Sequence, residues 1–126
     1  ILQTVIASQQ EQGQTLLHRS LCMHLPELAS SNAERKVVLL FSDLIENSQT
    51  VSFYQYQKKT DQLMQEYSQL TERLTADCEV GDLSGLEIYA SHLPKKEEDE
   101  LVVQALRFWQ TYAAQQGGTI HFVVNI

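Results

Sequence analysis

Lys36-Val-Val-Leu-Leu-Phe-Ser-Asp43-Leu-Ile-Glu-Asn47 decides how this chain is read, because an unbroken apolar run ends abruptly in an acid. An all-apolar strand has no solvent face, so it belongs in a parallel sheet with helices on both sides. Ligands in such sheets collect beyond the carboxyl ends of the strands, which makes Asp43 the first candidate binding residue. Two further runs of strand length follow, Leu86 to Ser91 and Thr119 to Ile126, both rich in β-branched or aromatic residues. Between the first two runs, Leu63, Met64, Tyr67, Leu70 and Leu74 share one helical face, with Glu66, Gln69, Glu72 and Arg73 opposite. Between the second and third, Leu101, Val102, Ala105, Phe108, Trp109, Tyr112 and Ala113 repeat that spacing, and Gly117-Gly118 supplies a stop.

Strand, helix, strand, helix, strand is the order of a parallel sheet with right-handed crossovers. The expected class is therefore α/β: a doubly wound, mostly parallel, Rossmann-like sheet flanked by helices in three α/β/α layers. Upstream, Leu16, Leu17, Leu21 and Leu25 predict a helix over Thr15 to Leu25, closed or kinked by Pro26. The Gln and Ala content of Ile1 to Gln12 favours another helix, with an extended stretch around Thr4-Val5-Ile6 as the alternative. Three strands make a thin sheet for these helices, so further strands are expected from residues outside the sequence or from another chain. At 126 residues the chain is one domain.

The composition, 43% apolar and 20% charged, is that of a soluble globular domain, and no apolar stretch approaches the roughly 18 residues of a membrane span. With a net charge of −7 and scattered basic residues, the surface repels phosphate backbones, so neither nucleic acid nor membrane insertion is expected. Cys22 and Cys78 are expected as buried free thiols, which fits a reducing, cytoplasmic compartment. Neither has the basic or helix N-terminal setting of a reactive thiolate. His18, His24, His92 and His121 are read as surface or packed residues without metal spacing. The acids of Lys95-Lys-Glu-Glu-Asp-Glu100, after Pro94, suit the first turn of a helix. Aromatics in Ser52-Phe-Tyr-Gln-Tyr56 are read as core packing.

Oxygen donors for a hard cation gather after the central strand: Asp43, with Ser42, Glu46 and Asn47 as partner-binding residues or outer partners of a metal. Thr15 offers another oxygen, although a hydroxyl at the start of a helix also serves as an N-cap. Gly13-Gln-Thr15-Leu-Leu-His-Arg-Ser-Leu21, followed by Lys36 to Asn47, resembles the middle of a bacterial-type von Willebrand factor type A domain. In that family a Gly-Gly-Thr-Asn type turn opens a helix, and the next buried strand ends in Thr-Asp-Gly or Ser-Asp-Gly. Asp82-Leu-Ser-Gly-Leu-Glu-Ile-Tyr89 looks like the family's entry to the following strand, and the last helix and strand complete such a domain.

The resemblance implies a metal-ion-dependent adhesion site holding Mg²⁺, or Mn²⁺ in its place, with Thr15 and Asp43 as ligands. A partner protein's carboxylate would complete the coordination, and no catalytic residue is implied. The family's Asp-x-Ser-x-Ser element, which normally ends the first strand, does not occur in these residues, and Leu44 stands where glycine is usual. The expectation is a domain without its first strand. A degenerate, metal-free scaffold using helical faces or the region of Tyr54 and Tyr56 is the alternative. A metal-assisted hydrolase or phosphoryl-transfer centre at Asp43 and Glu46 ranks below both, because no basic residue adjoins that strand end.

Overall fold

The computed structural model describes residues 2–7, 9–11, 14–91 and 99–123. Its chain order is β1 (Leu2–Ala7), β2 (Gln9–Glu11), β3 (Gln14–Leu16), α1 (Leu17–Ala29), β4 (Lys36–Phe41), a 3-10 turn (Phe53–Tyr56), α2 (Asp61–Gln65), α3 (Tyr67–Asp77), β5 (Leu86–Ser91), α4 (Asp99–Gln115) and β6 (Thr119–Val123). A four-stranded sheet runs in the order β1-β4-β5-β6 with every neighbour parallel, and β2 and β3 form a separate antiparallel pair. The α/β class is thus the observed one.

β4 and β5 have the bounds read from their apolar runs. The amino-terminal segment does not form the expected helix. Leu2–Ala7 pairs along its whole length with Lys36–Phe41, so the fourth strand comes from this chain itself. Pairing along β4 satisfies the backbone groups on one side of this edge strand, and Val5 and Ile6 suit a pleated surface better than a helix. Pro26 lies inside α1 without ending it. The helix predicted around Leu63 to Leu74 is two helices meeting at Glu66, whose φ of −99° and ψ of 14° leave the helical region. The apolar stripe continues through the break, since Leu63, Tyr67, Leu70 and Leu74 are all buried. Residues 95–98 of the charge run, Pro94, His92 and residues 124–126 of the last predicted strand lie outside the described residues, as do Gly13 and Ser8, while Asp99 and Glu100 open α4.

The register shows how the sheet is covered. Ile6, Leu40 and Ala90 stand in one row of one face, and Val38, Ile88 and Ile120 in the next, all buried in one core with α1, α3 and α4. That core is aromatic at its centre, where Phe108 meets Phe53 and Tyr67 edge-on, each with ring centroids 4.9 Å apart. The other face carries Val5, Leu39, Tyr89 and His121 in one row. Val5 is 58% exposed and Phe41, on the same face, 44% exposed. Val37 on this face is buried and Leu39 half-buried, and a third layer is not shown among the described residues.

Candidate functional site

Beyond Phe41 the chain turns sharply at the carboxyl end of the sheet. Leu44 has φ of +66°, the left-handed conformation that favours glycine, yet its side chain is wholly buried. Three hydrogen bonds hold the turn. The Leu44 N–H donates to Ser42 Oγ at 2.9 Å and the Ile45 N–H to Asp43 Oδ1 at 2.9 Å, while Trp109 Nε1 on α4 donates to the Leu44 carbonyl at 2.8 Å. Burial of Leu44 and the indole bond together support a conformation that costs an L-residue roughly 1–2 kcal/mol.

Thr15 reaches the same edge from β3. Its N–H donates to the Asn47 carbonyl at 2.9 Å and its carbonyl accepts from the Asn47 N–H at 2.9 Å. Thr15 is therefore in an antiparallel bridge and does not cap α1; the residue before the helix is Leu16, which provides no side-chain cap. The cap comes from Glu46 instead. Its Oε1 accepts the His18 N–H at 2.8 Å, and the Leu17 N–H and the Ser48 hydroxyl also donate to this carboxylate. Negative charge there complements the positive end of the helix. Glu46 is 2% exposed, and burial raises its pKa above the usual carboxylate value despite these donors. Asn47 Oδ1 accepts from Ser52 Oγ at 2.9 Å.

The structure thus brings the Thr15 and Asp43 segments together at one edge, while Ser42, Glu46 and Asn47 take part in the hydrogen bonds that build it. A cavity of about 330 Å³ opens beside them, lined by Gln14, Leu16, His18, Arg19, Glu46, Ser48, Gln49, Thr50, Leu74 and Asp77. Arg19 and Asp77 pair across its rim at 3.6 Å, an exposed contact of little energetic weight.

A second cluster forms one turn further along α1. Cys22 and Cys78 are joined by a disulfide, with Cα atoms 6.2 Å apart, and are not the free thiols expected. Chain separation of 56 residues hid this proximity, because spacing alone does not give distance. His18 lies against the bridge, with Nδ1 3.6 Å from Cys78 Sγ and 3.8 Å from Cys22 Sγ. Its Nε2 is 3.0 Å from the Tyr112 hydroxyl, and its ring stacks on Trp109 with centroids 6.2 Å apart. Burial pushes the imidazole down to about 4, against a weaker upward pull from Asp77. Among the described residues, His18, Cys22 and Cys78 are the group whose ligand atoms all lie within 4.8 Å of one another. The sequence signal was the His18-x-x-x-Cys22 spacing, which sets both side chains on one face of a helix.

No family model, curated protein or solved structure matches this chain. Among the described residues no helix is long and apolar enough to cross a membrane.

Proposed function

We propose that this chain is a non-enzymatic protein-binding module of von Willebrand A type, engaging a partner at the carboxyl edge of its sheet through Mg²⁺ held by Thr15 and Asp43. The observation that carries the reading is the two-way hydrogen bonding between Thr15 and Asn47, because it joins the two segments of the resemblance beside the end of β4. The left-handed Leu44 supports it as well, since the backbone turns after Asp43 in the way that glycine would permit. A hydroxyl and a carboxylate are hard oxygen donors of the kind Mg²⁺ or Mn²⁺ takes, and water and a partner's carboxylate would supply the rest of about six positions. The ion supplies positive charge to an acidic module and so attracts an acidic partner without a basic patch. Glu46 is committed to the start of α1, which argues against its use as a catalytic acid or base.

A calorimetric titration with Mg²⁺ and Mn²⁺, run beside Asp43→Ala, tests this. Saturable binding that the substitution removes is the expected result; no heat of binding in the unsubstituted chain overturns the metal-dependent reading. The exposure of Val5 and Phe41 on one sheet face favours a second reading, a metal-free scaffold that docks a protein there, because all-parallel sheets are ordinarily covered on both sides. In that case Mg²⁺ leaves the melting temperature unchanged, since only a ligand of the folded state raises it.

A further inference from the structure

The His18, Cys22 and Cys78 cluster is independent of the sheet edge and has a different chemistry. With Zn–S near 2.3 Å and Zn–N near 2.0–2.1 Å, a tetrahedral centre sets its nitrogen about 3.6 Å from each sulfur and its sulfurs about 3.8 Å apart. His18 Nδ1 already stands at 3.6 and 3.8 Å from the two sulfurs. The sulfurs have to separate, and because Cys22 Sγ is also 3.9 Å from Nε2 the imidazole has to turn its Nδ1 edge toward them. The other ring nitrogen faces the Tyr112 hydroxyl at 3.0 Å. Donation from Nε2–H to that oxygen leaves Nδ1 unprotonated, with the kind of outer partner that a metal-bound imidazole ordinarily has. His18 also lines the cavity with Arg19 and Asp77, and Cys22 and Cys78 are each partly exposed.

We propose that Cys22, Cys78 and His18 form a redox-gated zinc site, in which the reduced cysteines bind one Zn²⁺ as thiolates together with His18 Nδ1, while the disulfide form does not bind it. A dithiol reductant opens the gate. Its two S–H bonds are replaced by its own S–S bond, and the Cys22–Cys78 bond takes up two electrons and two protons to become two thiols. Zn²⁺ then displaces one proton from each thiol, and His18 contributes a lone pair without losing a proton. Two thiolates and one imidazole are a borderline-soft donor set that selects Zn²⁺ over Mg²⁺, with a fourth position left for water.

The test is a Co²⁺ titration of the chain reduced with a dithiol and desalted under argon, followed by Zn²⁺. The expected result is thiolate-to-cobalt charge-transfer absorption with tetrahedral d–d bands, saturating at one equivalent and bleached by Zn²⁺, and neither signal from the oxidised chain. Alkylating both thiols of the reduced chain abolishes the signal, and Tyr112→Phe weakens binding about tenfold. Asp43→Ala leaves it unchanged, which separates this site from the proposed Mg²⁺ edge. A reduced chain with native-like far-ultraviolet circular dichroism and no charge-transfer band overturns the proposal. So does equal binding by the oxidised or alkylated chain, or a reduced chain that is unfolded and that Zn²⁺ does not refold.

Discussion

At the residue scale, Leu44 and His18 each hold a state that their surroundings impose. Leu44 is left-handed and fully buried, so two effects oppose each other on substitution. Leu44→Ala loses the packing of the side chain, about 2–5 kcal/mol, and keeps the strain. Leu44→Gly loses the same packing but relieves roughly 1 kcal/mol of backbone strain, so urea melts are expected to rank glycine above alanine here, the reverse of the usual order. Equal or reversed midpoints would mean that the turn is unstrained. His18 titrates in the opposite sense to a salt-bridged base. Its folded value near 4 lies below the ordinary 6.5, so the unfolded chain binds the extra proton between these values. The stability tied to its neutral form is complete above pH 6.5 and is lost as pH falls toward 4, up to about 3 kcal/mol. Glu46, raised by burial, works the other way and favours the folded state at low pH. The difference between native and His18→Asn stability curves for the oxidised, metal-free chain isolates the histidine; parallel curves would refute its depressed value. Asp43 was legible in the sequence as the acid following an apolar strand, whereas of the histidine's partners only Cys22, one turn away on α1, has a local signature; Cys78 after α3 and Trp109 and Tyr112 on α4 have none.

At the element scale, α1 depends on a residue far from it in sequence. Its N-terminus has no side-chain cap of its own, and the buried Glu46, 28 residues away from His18, takes that role. Glu46→Ala leaves buried N–H groups without an acceptor and is expected to cost about 1–3 kcal/mol in chemical denaturation. Glu46→Gln keeps an acceptor and removes a buried charge, so its loss is expected to be smaller; a glutamine as damaging as alanine would show that the charge, not the bond, sustains the helix start. The strands β4 and β5 were legible because β4 is an almost unbroken apolar run and β5 alternates buried Leu86, Ile88 and Ala90 with half-buried residues. β1 was not, because its register with β4 is a tertiary preference that overrides the Gln and Ala content of its neighbourhood. The α2–α3 break was hidden for a related reason, since both helices keep their apolar residues on one stripe and the pattern carries no mark at Glu66.

At the scale of the whole molecule, the disulfide couples α1 to the end of α3 across a loop of 56 residues. Closing a loop of that length restricts the unfolded chain by about 4 kcal/mol in the chain-entropy picture, and native bridges commonly deliver roughly 2–4 kcal/mol. For a domain of this size 1 kcal/mol corresponds to about 4 °C, so reduction is expected to lower the melting temperature by roughly 8–15 °C. Cys22 packs at the margin of the core, while the strand pairing is made without the bridge, so the reduced chain is expected to fold at room temperature. The direction of the next step separates two roles for the cluster. If the bridge only staples the fold, adding Zn²⁺ to the reduced chain leaves the lowered melting temperature where it is. If His18, Cys22 and Cys78 hold the ion, the midpoint climbs back with Zn²⁺ concentration, because an ion bound only by the folded state adds its binding energy to folding. Mg²⁺ does not substitute in that recovery, since thiolate sulfur is a poor ligand for a hard cation. Differential scanning calorimetry of the oxidised, reduced and zinc-loaded chain therefore measures the cross-link and the metal site on one temperature axis. A reduced chain that melts with the oxidised one would remove the bridge from the account of stability.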